Sequence, residues 1–191
     1  SADGNTINTT GSMYKMFNGK ITLTTIVFDN INTIATFNMA HMFDSCKALS
    51  NLNIDCFDTT RVIDMQYMFH ECRALPEIDI SHFNTSNVIN MQYMFANMSN
   101  VSKIDVSGFD TSNVTNMKWM FTNDFNLKQL DLSSFDTSSV TITTQMFATC
   151  RELTTIYVSD LWDVSHLNSS NGAYGMFSNC SNLVGQSGYT Q

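Results

Sequence analysis

Three aspartates, Asp79, Asp105 and Asp131, recur at intervals of 26 residues, with Asn53 one interval ahead and Val27 and Tyr157 at the two ends of the row. If successive intervals stack, the carboxylates stand about 4.8 Å apart, and their repulsion must be offset by a cation or by hydrogen-bond donors. Such a ladder could hold calcium or meet a partner's donors; it could also rest as solvated side chains helped by Ser81, Ser107 and Ser133. For metal the solvated reading is the stronger, so no metal site is expected. As a contact strip the row broadens through its neighbours on the same segments. The candidate ligand-binding row is therefore Asn53, Glu77, Asp79, Lys103, Asp105, Gln129, Asp131 and Tyr157, with Thr155 beside it.

The other polar rows point to structure. Asp58, Asn84, Asp110 and Asp136 share one register, and their side chains suit turns and helix caps. Thr59, Thr85, Thr111 and Thr137 form a threonine row that could in principle order water, but it is short, lies at a capping turn and lacks a paired Thr-x-Thr strand. Cys46, Cys72, Cys150 and Cys180 share a register in which Met98 and Asp124 also stand, which fits small buried thiols. A Cys46–Cys72 disulfide is conceivable between neighbouring units, with core packing the favoured use. His70-Glu71-Cys72 lacks the second histidine of a metalloprotease helix, and the chain contains no Gly-rich phosphate loop and no nucleophile elbow. No catalytic residue and no cofactor is expected.

What positions these rows is a repeat. Met-Phe occurs at 16, 42, 68, 94, 120, 146 and 176, a spacing of 26 residues five times and then 30. Leu49, Leu75, Val101, Leu127, Leu153 and Leu183 keep the register. So do Ile26, Leu52, Ile78, Ile104, Leu130 and Ile156, followed two residues later by Phe28, Ile54, Ile80, Val106, Leu132 and Val158. That alternation predicts one short strand per unit. Phe57, Phe83, Phe109 and Phe135 follow, and from Val114 the apolar positions Met117, Met120 and Phe121 fall on one face of a short helix. A unit of this kind cannot bury its apolar face alone and must stack on its copies. The expected organisation is a single solenoid over 1–191: a polar lead at 1–12, repeats at 13–183, four extra residues bulging within 167–174, and a tail at 184–191.

Composition agrees. With 43% hydrophobic residues, one Pro and 8 Gly the chain should fold. Nine Lys and Arg against seventeen Asp and Glu give a net charge of −8, which repels phosphate and makes nucleic acid an unsuitable partner. No apolar run approaches the ~20 residues that would cross a bilayer.

The segments Leu130-Asp131-Leu132-Ser133-Ser134-Phe135-Asp136-Thr137-Ser138-Ser139-Val140 and Phe109-Asp110-Thr111-Ser112-Asn113-Val114-Thr115-Asn116-Met117 carry a resemblance. Over about residues 13–185 the chain resembles the BspA-like leucine-rich-repeat surface proteins, in the branch of mycoplasma lipoprotein-type repeats of unknown function. The resemblance implies an α/β repeat fold, a right-handed leucine-rich solenoid with one short strand and one short helical segment per 26-residue coil. In such a solenoid the aspartate row lies on the concave side. It also implies a bacterial protein, secreted or anchored at the cell surface, that adheres to a protein or glycan of a host or neighbouring cell. A structural spacer or surface coat with no specific ligand is the alternative. Tyr157, Trp162, Tyr174 and Tyr189 lean toward adhesion, because non-repeating aromatics suit recognition better than spacing.

Overall fold

The 26-residue interval sets the architecture. In the computed structural model, which describes residues 7–9, 11–167 and 172–184, residues about one interval apart lie side by side in parallel, coil upon coil. β1 (Ile7–Asn8) is followed by β2 (Thr25–Val27) and β3 (Ile31–Asn32), and β1 pairs with β3. β4 (Asn51–Asn53) pairs with β2, setting Leu52 beside Ile26. β5 (Gln129–Leu132) pairs with β6 (Thr155–Val158), setting Leu130 beside Ile156 and Asp131 beside Tyr157. A further ladder of single parallel bridges runs unbroken through Ser12, Asn38, Asp64, Asn90, Asn116 and Ile142.

The strand expected in every coil is therefore present only toward the two ends. In the middle coils, Ile78, Ile80, Ile104 and Val106 are still buried and Asp79 and Asp105 still face out, but their backbones make no strand pairing. Apolar alternation dictates which side chains point inward; it does not require ladder bonds at that place when the bridge ladder already joins the coils.

The helical segment is corrected. Among the described residues there is no helix, although Val114, Met117, Met120 and Phe121 are fully buried, as a helical face would bury them. The N–H groups of Met117, Trp119, Phe121 and Asn123 donate to the carbonyls of Ile142, Thr144, Met146 and Ala148 in the next coil, while Met120 and Thr122 bond back three residues, to Met117 and Trp119. Alternate donors thus belong to the neighbouring coil and are lost to any i→i−4 pattern. The backbone accommodates this by turning left-handed at two positions per coil, with φ of 56° at Tyr93, 62° at Asn97, 58° at Trp119 and 61° at Asn123. Such conformations cost of order 1–3 kcal/mol each for a residue other than glycine, and the bonds between coils hold them.

The interior repeats with the coils. Phe43, Phe69, Phe95, Phe121 and Phe147 form a near-parallel ring stack with centroids 5.5–5.8 Å apart. Met39, Met65, Met91 and Met117 run alongside, and Phe57, Phe83, Phe109 and Phe135 make the expected second buried row. Full burial of each such side chain contributes about 1.5–3 kcal/mol. The thiols of Cys46, Cys72, Cys150 and Cys180 are reduced and buried, each donating to the carbonyl of Phe17, Phe43, Phe121 or Phe147 at 2.9–3.2 Å.

The threonine row also faces inward. Thr59, Thr85, Thr111 and Thr137 are buried, with Thr33 extending the row. Each hydroxyl bridges to the next coil: Thr111 Oγ1 donates to the Asp136 carbonyl at 2.9 Å and accepts from the Asp136 N–H at 2.9 Å. The same reciprocal pair links Thr59 to Asn84 and Thr85 to Asp110. A row spent on backbone groups has nothing to offer water. Asp58, Asn84, Asp110 and Asp136 cap these turns, each accepting from the N–H two residues on.

Residues 168–171, most of the lead at 1–12, and 185–191, including Tyr189, lie outside the described residues.

Candidate functional site

The strand-face row is where its spacing places it. Glu77, Asp79, Lys103, Asp105, Gln129 and Asp131 are exposed, Tyr157 is half-exposed at the end of the row, and Asn53 is partly buried. The aspartates face local donors. Asp79 Oδ1 accepts from the Ser81 N–H at 3.0 Å and its hydroxyl at 2.7 Å, and Asp105 Oδ1 from Ser107 at 3.2 and 2.7 Å. Asp131 takes the Ser133 N–H at 2.9 Å. These serine bonds hold all three carboxyls below the usual aspartate range. Lys103 Nζ stands 3.7 Å from Asp105 Oδ2. The ladder repulsion is thus relieved within each coil, and among the described residues no three acidic, histidine or cysteine side chains converge as metal ligands.

A more structured surface lies on the turn side, away from the strand-face row. In four successive coils the residue just before the Met-Phe pair carries a ring, and these rings stack. His41 lies on Tyr67 at 4.5 Å and 8°. Tyr67 lies on Tyr93 at 4.5 Å and 25°, and Tyr93 on Trp119 at 4.6 Å and 27°. Trp119 Nε1 then donates to Gln145 Oε1 at 2.7 Å, continuing the row. Each of these residues is at a left-handed φ between 52° and 58°, an outlier for bulky side chains that marks a position worth examining for function. The sequence signal was present as a 26-residue register of His, Tyr, Tyr, Trp and Gln, hidden between two apolar rows that drew a helical reading.

Four residues further along these coils, Asn97, Asn123 and Thr149 line, together with Tyr67, Tyr93, Trp119 and Gln145, a groove of about 400 Å³ that also reaches the buried Thr122 and Ala148. The amides are wired in one direction. Asn123 Nδ2 donates to Asn97 Oδ1 at 3.0 Å, and Asn97 Nδ2 faces His70 Nε2 at 3.1 Å. Because the Asn123 bond orients the Asn97 amide, His70 Nε2 is the acceptor and Nδ1 carries the proton donated to Asp44 Oδ1 at 2.8 Å. Asp44 also accepts from His41 Nδ1 at 2.8 Å and from Ser45 at 3.0 Å. Burial raises the Asp44 carboxyl, but the His70 and His41 bonds outweigh that and bring it down to about 2.

The groove carries little charge. Its lining contains no carboxylate, lysine or arginine. Burial pushes the Tyr67 and Tyr93 phenols up, so both stay neutral. Lys118 lies over the Trp119 ring, its Nζ 3.6 Å from the ring centroid. At the N-terminal end Glu71 is neutralised by Lys47 at 3.0 Å and Arg73 at 2.6 Å. The site is a trough of stacked rings, amides and hydroxyls, at the lower end of the volumes that small ligands occupy.

Comparison with known proteins places the chain. The family model described as a Mycoplasma protein of unknown function, DUF285, matches residues 5–105 and 76–188. Among solved structures, a leucine-rich-repeat protein of T. pallidum aligns over 93% of this chain and 72% of its own, at 16% identity and a TM-score of 0.56. That likeness supports a leucine-rich-repeat-like solenoid. No curated protein matches.

Proposed function

The chain belongs to the DUF285 family, and we propose that it is a non-enzymatic binding scaffold, an adhesion or ligand-display module that works outside the cell and recognises a protein or glycan. The observation that carries the reading is the turn-side groove. It brings the stacked rings of Tyr67, Tyr93 and Trp119 together with the bonded amides of Asn97 and Asn123, held by a backbone whose donors are spent between coils. A rigid stack can vary such outward residues without disturbing the core. We place the contact there ahead of the strand-face row, whose aspartates are each satisfied by a serine two residues on.

The test is a binding screen against extracellular-matrix proteins and glycans with two variants alongside. Tyr93→Ala is expected to weaken a saturable hit, and Asp105→Ala with Asp131→Ala to leave it unchanged. The reverse pattern would return the contact to the strand face, and a screen without hits would favour a spacer.

A further inference from the structure

We propose that the turn-side groove takes a neutral oligosaccharide laid along the solenoid axis; this rests on the groove being the binding surface, as argued above. The argument starts from charge. A lining without carboxylate, lysine or arginine offers no counter-ion to an anionic or cationic ligand, and a desolvated unpaired charge is costly. A neutral ligand therefore suits this lining better than a charged one.

The lining also suits a ligand that is amphipathic in a particular way. Part of the lining is the aromatic row Tyr67, Tyr93 and Trp119, whose rings cover one another's faces and so leave edges to a ligand. Beside it stand Asn97, Asn123 and Thr149, groups that both donate and accept. A chain with C–H surface on one side and hydroxyls on the other can meet both, which is the chemistry of linked pyranoses.

Repetition points the same way. Tyr93 with Asn97 and Trp119 with Asn123 are successive rungs of ring and amide, and Gln145 with Thr149 adds a polar third. At about 4.8 Å per coil the three steps from Tyr67 to Gln145 make roughly 14 Å of groove. Each step is close to the length of one sugar unit, so like units meet like rungs. An extended peptide fits less well. Strand addition needs free backbone groups, whereas the N–H groups of Tyr93, Asn97, Trp119 and Asn123 all donate to the next coil.

The experiment uses the full chain on an array of neutral oligosaccharides (gluco-, manno-, galacto- and N-acetylhexosamine chains) beside sulfated and sialylated chains, followed by calorimetry on any hit. Saturable binding of a neutral chain is expected, little affected by salt. Asn97→Ala with Asn123→Ala should weaken it about tenfold or more with an unchanged far-ultraviolet circular dichroism spectrum. Asn123→Asp, which keeps the shape and loses the donor, should weaken it as well, while Asp105→Ala with Asp131→Ala should not. Binding confined to charged chains, an array without a neutral hit, or neutral binding indifferent to the amide variants would overturn the proposal. If groove variants abolish capture of a matrix protein while no glycan binds, the ligand class is wrong and the groove stands. If groove variants change no binding, both fall.

Discussion

Asp124 interrupts the buried thiol row, and the interruption has a measurable cost. It is wholly buried; Oδ1 accepts the Met98 N–H at 2.8 Å, and Oδ2 has no partner. Burial pushes its carboxyl well above the usual aspartate range, against which the single Met98 bond is a weaker opposing effect. Replacing it with cysteine restores the row, since thiols at this register donate to the phenylalanine carbonyl 29 residues earlier, which for position 124 is Phe95. Removing one unpartnered buried oxygen should stabilise by about 1–3 kcal/mol, with the Met98 N–H, which loses Oδ1, turning to the Phe95 carbonyl as the N–H groups of Cys46, Cys72 and Cys150 bond to Phe43, Phe69 and Phe147. With an unfolding entropy of about 2.1 cal/mol/K per residue, 191 residues make that a Tm rise of roughly 2–7 °C.

The pH dependence supplies an independent sign. A carboxyl whose pKa is raised in the folded chain keeps its proton there while the unfolded chain gives it up. The native state therefore binds more protons above about pH 4, and stability falls as pH rises toward the folded value. For one proton the slope is at most about 1.4 kcal/mol per pH unit. Asp124→Asn and Asp124→Cys should lack it, so their advantage over the parent should widen as pH rises above about 4 toward the folded value. Thermal and urea unfolding followed by circular dichroism across that range read the difference. A constant difference, or variants less stable than the parent throughout, would refute the reasoning.

Three further outcomes follow from the same contacts. Thr111→Val keeps the shape but strands the Asp136 N–H and carbonyl, and should destabilise by about 2–4 kcal/mol in urea unfolding; an unchanged midpoint would mean that the bridge is replaceable by water. Phe109→Ala opens a cavity beneath Phe135 and should cost about 3–5 kcal/mol in the same assay. Asp44, brought down to about 2 by His70 and His41, contributes stability that is present above its unfolded value near 4 and is lost as pH falls from about 4 to about 2. Asp44→Asn should flatten that acid limb, and an unaltered acid limb would contradict the assignment.

The inward rows were legible because a 26-residue period cannot be kept by chance in Met39, Met65, Met91 and Met117, and identical neighbours bury identical side chains. Direction was harder where a residue type serves two masters. Thr111 suits a solvated turn as well as a buried bridge, and only the neighbouring coil decides. The offsets of Val114, Met117, Met120 and Phe121 suit a helix, yet the same face is buried by turns whose alternate N–H groups cross to the next coil. Left-handed backbone at Tyr93 and Trp119 leaves no sign in residue type, because glycine is absent there. The groove was missed for a related reason: His41, Tyr67, Tyr93, Trp119 and Gln145 share a register without sharing a side chain, so their kinship emerges only once they stack.

The central claim is that the turn-side groove is the binding surface, and Trp119 sits within it as a reporter. In a Trp162→Phe background, which leaves Trp119 the sole indole of the two in the chain, the emission should shift and saturate as a matrix protein or oligosaccharide that the chain captures is titrated in. Saturable capture of the same molecule with Trp119 emission unchanged would contradict the account.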